Sequence, residues 1–259
     1  MPNIIPVSAF SDNYIWLICD NQQRYAAIVD PGDATPVITA LDEQKLEPIA
    51  ILITHHHGDH VGGISRLLQH YPQLPVYGPK TERIATVTHK VGQGDVIDLQ
   101  KIGTQLKVLD TFGHTAGHIS YYAPEILFCG DTLFANGCGR VFDGTIEDLH
   151  QSLQRIAKLP PKTKIYCAHE YTLDNIGFAK WVEAENKDLL EREAICLNLI
   201  DNDKATIPTL LADELKTNPF MRCDKQVVIE QAEKFSGKKL ANTTEVFRAI
   251  RRWKDSEYD

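Results

Sequence analysis

The sequence lacks most of what would mark a secreted, membrane-spanning or nucleic-acid-binding chain. Its six cysteines (Cys19, Cys129, Cys138, Cys167, Cys196 and Cys223) are scattered, with no CxxC pair. Such usage reads as free thiols in a reducing cytoplasm, because a disulfide framework needs an oxidising compartment. The opening MPNIIPVSAF has no basic residue ahead of an apolar block, so no secretory leader is expected. The longest unbroken apolar run is the six residues Tyr14–Cys19, against roughly 18 for a membrane span. Basic charge is also short: 27 Lys and Arg face 35 Asp and Glu, a formal net charge of -8. That balance weighs against nucleic acid as the main partner. No GxSxG stretch supplies a nucleophilic serine.

What is present is globular in character, with 43% hydrophobic and 24% charged residues over 259 positions. That length can bury a sizeable core in one large domain or two smaller ones. Tyr14–Cys19 and Tyr25–Val29 are apolar runs rich in aromatic and β-branched residues, parted by the polar Asp20–Arg24, and they predict a hairpin. The second run halts at Asp30-Pro31-Gly32-Asp33, a turn signal. Ala34–Glu43 predicts a helix with Val37, Ile38 and Leu41 on one face. Ile49–Ile53 is apolar throughout, as a strand covered on both faces would be. Leu106–Leu109, Ile119–Tyr122, Ile126–Cys129 and Lys164–Ala168 predict further strands. Thr145–Lys158 predicts a helix, closed by Pro160-Pro161. Mixed elements with polar clusters just past strand ends point to a layered α/β domain over 1–171, its site along one sheet edge.

Beyond about Tyr171 the pattern changes. Phe178, Trp181, Val182, Leu189, Leu190, Leu197 and Ile200 fall at helical spacing across 175–203. Val227–Phe235 and Thr243–Trp253 also read as helices, and no strand is expected, so 172–259 reads as a smaller helical domain. Residues 222–254 hold nine Lys and Arg against four acids, while the first 221 residues are acidic. A solvated helix face and a surface for an anionic small molecule both fit this, and charge alone does not choose between them.

The chemistry concentrates at Thr54-His55-His56-His57-Gly58-Asp59-His60, directly after an apolar strand. Imidazole and carboxylate together suit Zn²⁺, Fe²⁺ or Mn²⁺. A turn carrying His55 and His57 can aim both to one side, leaving Asp59 and His60 to reach a second point, with Gly58 expected to relieve crowding in the loop. A first-row metal takes about four ligands and, when catalytic, keeps a water position. Further ligands elsewhere would therefore suggest two metals. The candidates are His114, Asp131 and His169, each just past a predicted strand.

The THHHGDH stretch matches the THxHxDH motif of the metallo-β-lactamase superfamily, and His114, Asp131 and His169 follow in that superfamily's order. A closer resemblance, to the hydroxyacylglutathione hydrolases (glyoxalase II), is carried by Gly130-Asp131-Thr132-Leu133-Phe134, Gly137-Cys138-Gly139-Arg140, Ala168-His169-Glu170-Tyr171-Thr172, Asn218-Pro219-Phe220 and Phe247–Asp255. It covers essentially the whole chain. The resemblance implies an αββα sandwich with a C-terminal helical domain and two divalent metal ions, zinc foremost and iron or manganese also admitted. By motif position, His55, His57 and His114 would hold one metal, Asp59, His60 and His169 the other, and Asp131 would bridge them. Asp59 and Asp131 would position a metal-bound hydroxide as nucleophile. His56 and His118 fall where the family has no ligand, His118 being expected in a buried hydrogen bond. His70, His89 and His150 take surface or core roles.

The implied reaction is hydrolysis of S-D-lactoylglutathione to D-lactate and glutathione, the second step of methylglyoxal detoxification. Arg251 and Lys254 would pair with the glycyl carboxylate, and Arg140, Phe142 and Tyr171 would line the rest of the tripeptide. Phe142 stands where some members have Tyr, so one hydroxyl contact is missing. Cysteine usage, charge and run lengths together lead us to expect a cytoplasmic chain with no nucleic acid or membrane partner, and a monomer is expected. The rival within the superfamily is a mononuclear-iron glutathione-persulfide dioxygenase, disfavoured by the full second ligand set and the extra helical domain.

Overall fold

The computed structural model describes residues 2–258. They divide into two compact units: the first runs to Thr111 and resumes over Ala116–Gly130, and the second takes Phe112–Thr115 and the chain from Asp131 onward.

In the first unit, β1 (Asn3–Ala9), β2 (Asn13–Cys19), β3 (Tyr25–Val29), β4 (Glu47–Leu52), β5 (Val76–Pro79) and β6 (His89–Val91) lie side by side in that order. The β1, β2 and β3 pairings are antiparallel, and those from β3 to β6 are parallel. A second run, β7 (Val96–Leu99), β8 (Thr104–Asp110), β9 (Ile119–Ala123) and β10 (Ile126–Gly130), is antiparallel. Parallel pairing needs crossovers: α1 (Ala34–Gln44) supplies the one from β3 to β4, α2 (Gly58–Val61) and α3 (Ile64–His70) the one from β4 to β5, and the non-helical stretch 80–88 the one from β5 to β6. Asp33 caps α1 by accepting from the Thr35 amide at 2.8 Å. Ile51 and Leu52 of β4 are fully buried, and Ile51 shares a core with Ile15, Leu17, Ile28, Val37, Leu41, Ile64 and Val76.

The second unit opens with the short hairpin β11 (Leu133–Phe134) and β12 (Gly137–Cys138). There follow α4 (Ile146–Ile156), β13 (Lys164–Cys167), α5 (Thr172–Val182), α6 (Lys187–Ile200), β14 (Thr209–Leu210), α7 (Leu211–Thr217), α8 (Gln226–Ser236) and α9 (Thr243–Trp253), with a π turn over Lys254–Tyr258. Phe178, Phe220, Phe247 and Trp253 form a linked aromatic core. A buried ion pair joins Arg192 of α6 to Glu214 of α7. Thr209 donates to the same carboxylate at 2.8 Å, and Asn218 donates to its other oxygen at 2.9 Å.

The predicted hairpin, the α1 and α4 helices, the strand before the histidine loop and α9 are all present. Three features depart from expectation. The helical run across 175–203 is two helices, because Asn186 caps α6 by accepting from the Leu189 amide at 3.2 Å. A strand does occur past residue 171: β14 pairs antiparallel with β13, but its two residues are too few to show a period. The sequence also hides β1, which carries Pro6 and lies at the sheet edge, where a missing N–H is tolerated.

Candidate metal centre

In the first unit the histidine loop leaves β4 directly. Tyr121 of β9 donates its hydroxyl to the Ile53 carbonyl at 2.6 Å, and the Ile119 amide donates to the Thr54 carbonyl at 2.9 Å, so β9 fixes the strand exit. Burial drives the Tyr121 phenol well above its ordinary range, so it serves only as a neutral donor. The Thr54 hydroxyl gives its one proton to Asp30 at 2.7 Å. It must therefore accept from His55 Nδ1, 3.0 Å away, which leaves His55 Nε2 as the bare nitrogen. That nitrogen lies 3.0 Å from His57 Nδ1. Two nitrogens on one tetrahedral zinc, each at about 2.0–2.1 Å, would be roughly 3.3 Å apart. The pair therefore suits a shared cation.

The α2 turn begins at His57, whose carbonyl accepts from the His60 amide at 2.9 Å, and it carries the next two candidate ligands, Asp59 and His60. His60 Nδ1 sits 3.0 Å from Asp30 Oδ2, and the carboxylate charge favours the proton on that nitrogen. His60 Nε2 is 3.4 Å from Asp59 Oδ2, and Asn13 Nδ2 donates to the same Asp59 oxygen at 3.0 Å. A Cβ on Gly32 would stand 1.8 Å from the Asp59 carbonyl oxygen, so only glycine lets the 30–33 turn approach α2. Gly58 does not have the role the sequence suggests. A Cβ there would meet nothing within 4 Å, because the residue starts α2 with open space beside it.

In the second unit, His114 Nδ1 faces the Arg140 carbonyl at 2.7 Å. A carbonyl only accepts, so Nδ1 carries the proton and Nε2 is bare. Asp131 Oδ2 lies 3.6 Å from His114 Nε2 and 3.4 Å from His169 Nε2, between the two imidazoles. Asp131 follows Gly130, whose φ of +46 lies in the left-handed region. His169 stacks on Tyr171, ring centroids 4.8 Å apart, and meets the edge of Phe134.

The substrate candidates lie in this second unit and differ sharply in exposure. Phe142 is 65% exposed and sets its ring edge-on to His114 at 5.2 Å. Tyr171 is partly exposed, and the Arg140 side chain is 55% exposed. Arg251 and Lys254 are buried. Arg251 donates to the Cys138 carbonyl at 3.1 Å and to Asp255 at 2.8 Å, and Lys254 donates to Asn175 at 2.6 Å. Burial pushes the Cys138 thiol up to about 11 despite this cation, which keeps it protonated.

The other histidines are accounted for locally. His118 is buried, hydrogen bonded to Thr111 at 3.1 Å and stacked on His55, and His56 pairs with Glu82 at 3.0 Å. His70 and His89 are exposed; His150 is buried. Asp30 and Asn13, which contact His60 and Asp59, belong to no ligand motif in the sequence. In the sequence Asp30 shows only as part of a turn signal, because its contact with Thr54 spans 24 residues.

Residues 10–169 match the metallo-beta-lactamase superfamily and residues 170–257 match the hydroxyacylglutathione hydrolase C-terminus. A hydroxyacylglutathione hydrolase of Nitrosomonas europaea is 49% identical over 256 residues, covering 99% of this chain and 97% of that one. In fold, the chain is similar to ETHE1 from Myxococcus xanthus, with a TM-score of 0.65 at 23% identity over 98% of this chain and 97% of that one. It is also similar to TTHA1623, solved in a di-iron-bound form, with a TM-score of 0.54 at 28% identity over 64% of this chain and 91% of that one. The His and Asp side chains described above are donors of the kind that bind divalent metal ions. The chain belongs to the hydroxyacylglutathione hydrolase family of the metallo-β-lactamase superfamily.

Proposed function

We propose that the chain hydrolyses S-D-lactoylglutathione and related S-(2-hydroxyacyl)glutathiones, releasing a 2-hydroxy carboxylate and glutathione. Family membership supports the thioester hydrolase activity. The observation that carries the local reading is the set of bare nitrogens: neighbours fix the proton on His55 Nδ1 and His114 Nδ1 and favour it on His60 Nδ1, leaving each Nε2 to bind metal. His55, His57 and His114 would hold one divalent ion, Asp59, His60 and His169 a second, and Asp131 both. Zinc suits this N and O set, as do iron and manganese.

When bound, such ions supply a water acidic enough to attack near neutral pH and positive charge for the developing oxyanion. The residues of the chain do the rest. Asp59 and Asp131 orient the attacking water and keep the imidazoles facing inward. Arg140 and Tyr171 contact the tripeptide, with Arg251 and Lys254 at its carboxylate, and Phe142 gives an apolar edge where a hydroxyl would otherwise donate. A thiol has a pKa near about 8.5, so the departing thiolate needs no strong general acid. No Ser or Cys nucleophile is required.

The reading places the catalytic domain over 1–171 and the substrate-binding helical domain over 172–259, in a cytoplasmic monomer. No helix among the described residues is long and apolar enough to cross a membrane. The direct test compares hydrolysis of S-D-lactoylglutathione with oxygen uptake on glutathione persulfide. Thioester turnover without oxygen uptake is expected; the reverse would make the chain a dioxygenase.

A further inference from the structure

Asp255 already places a carboxylate among the cations assigned to the substrate. Its Oδ1 accepts from Arg251 Nη2 at 2.8 Å and lies 3.8 Å from Arg140 Nε. The residue sits at the start of the π turn, four positions after Arg251, and its side chain is 41% exposed. A second acid, Asp174, lies 3.3 Å from Lys254 Nζ, whose nearer partner is the neutral Asn175 amide at 2.6 Å. Asp255 is thus a carboxylate in contact with both arginines.

Asp255 also has somewhere to go. With Phe235, Arg252 and Ser256 it lines a surface hollow of about 430 Å³. Arg252 is exposed on that side and offers a second guanidinium. Glu214 makes the contrast: its carboxylate is fully buried and tied by Arg192, Thr209 and Asn218, so it cannot be exchanged for another anion.

We infer that Asp255 is an internal competitor for the glutathione carboxylate: it holds Arg140 and Arg251 in the unliganded enzyme and turns toward Arg252 when the thioester docks. The inference rests on the reading that Arg140 and Arg251 receive the tripeptide. Two carboxylates on one arginine pair repel each other, so Asp255 weakens binding of the anionic substrate and leaves a neutral thioester untouched. It sets affinity and charge selectivity without touching the reacting atoms.

The test measures KM on the metal-loaded full chain for S-D-lactoylglutathione and for a neutral thioester lacking both carboxylates. In Asp255→Asn the ratio of the first KM to the second falls by about two- to fivefold, the scale of a partly exposed ion pair. Asp255→Glu, which keeps the charge, does not lower the ratio. Arg252→Gln, an exposed change that removes the second seat, raises it, and this arm remains if Asp255→Asn folds poorly. A ratio that stays level or rises in Asp255→Asn, or stays level in Arg252→Gln, overturns the inference. Arg140→Ala separates the two levels. If it raises the ratio while Asp255→Asn does not lower it, only the competitor role fails; if it leaves the ratio unchanged, the glutathione assignment itself fails.

Discussion

Asp30 Oδ2 stands 3.0 Å from His60 Nδ1, and the same oxygen accepts the Thr54 hydroxyl that in turn fixes His55. One buried carboxylate therefore stands beside two candidate ligands of the first unit, His60 directly and His55 through Thr54. Its backbone, at φ 52, lies in the left-handed region, which Asn adopts as readily as Asp. Asp30→Asn should keep the fold yet weaken metal binding by about 10–100-fold, the usual cost of losing a ligand's supporting carboxylate. Chelator competition measures this, and unchanged affinity would remove the orienting role.

Arg140 and Arg251 should separate in their effects because one is exposed and the other buried. Arg140→Ala is expected to raise KM for glutathione thioesters about tenfold, the scale of a lost hydrogen bond to a charged group, with little change in stability. Arg251→Ala should raise KM and also destabilise the chain, since the Cys138 carbonyl and Asp255 lose their donor. Steady-state kinetics paired with urea unfolding checks both. Equal stability of the two variants would contradict the burial argument.

The Arg192–Glu214 pair is an interior one, so its removal should be felt as stability rather than catalysis. Arg192→Met leaves the Glu214 carboxylate buried without its cation, which typically costs about 3–5 kcal/mol. A loss under about 1 kcal/mol in denaturant unfolding, the range of surface pairs, would refute this.

His150 gives the pH dependence a definite sign. Burial lowers its pKa from 6.5, so the folded chain keeps the imidazole neutral while the unfolded chain takes up a proton. Stability from this group is present above the unfolded value, and it is lost as pH falls below about 6.5. His150→Gln should flatten that part of the stability profile between about pH 7.5 and 5.5. An unaltered slope would show that His150 does not contribute to it.

Much of this was legible in the sequence because it rests on local pattern. Ile49–Ile53 announces a buried strand, and Thr243–Trp253 carries a helical stripe ending in the observed π turn. The candidate ligands stand out because four histidines and an aspartate in six positions have few other uses. What stayed hidden depends on contacts distant in sequence. Asp30 reads as a turn residue until β3 and β4 pair in parallel and bring it to Thr54. Charge pattern leaves Arg251 and Lys254 as either a solvated face or an anion surface, and only the fold shows them buried against Cys138 and Asn175. Gly58 looked indispensable by its place in the motif, but the tight approach belongs to Gly32.

The central claim is that two sets of His and Asp ligands together make a thioesterase that needs two divalent ions. It is tested most directly by titrating zinc into the metal-stripped chain while following hydrolysis of S-D-lactoylglutathione. Activity that rises to a plateau at close to two ions per chain is the predicted result. Full activity at one ion, or metal content that stays at one under replete conditions, would contradict it.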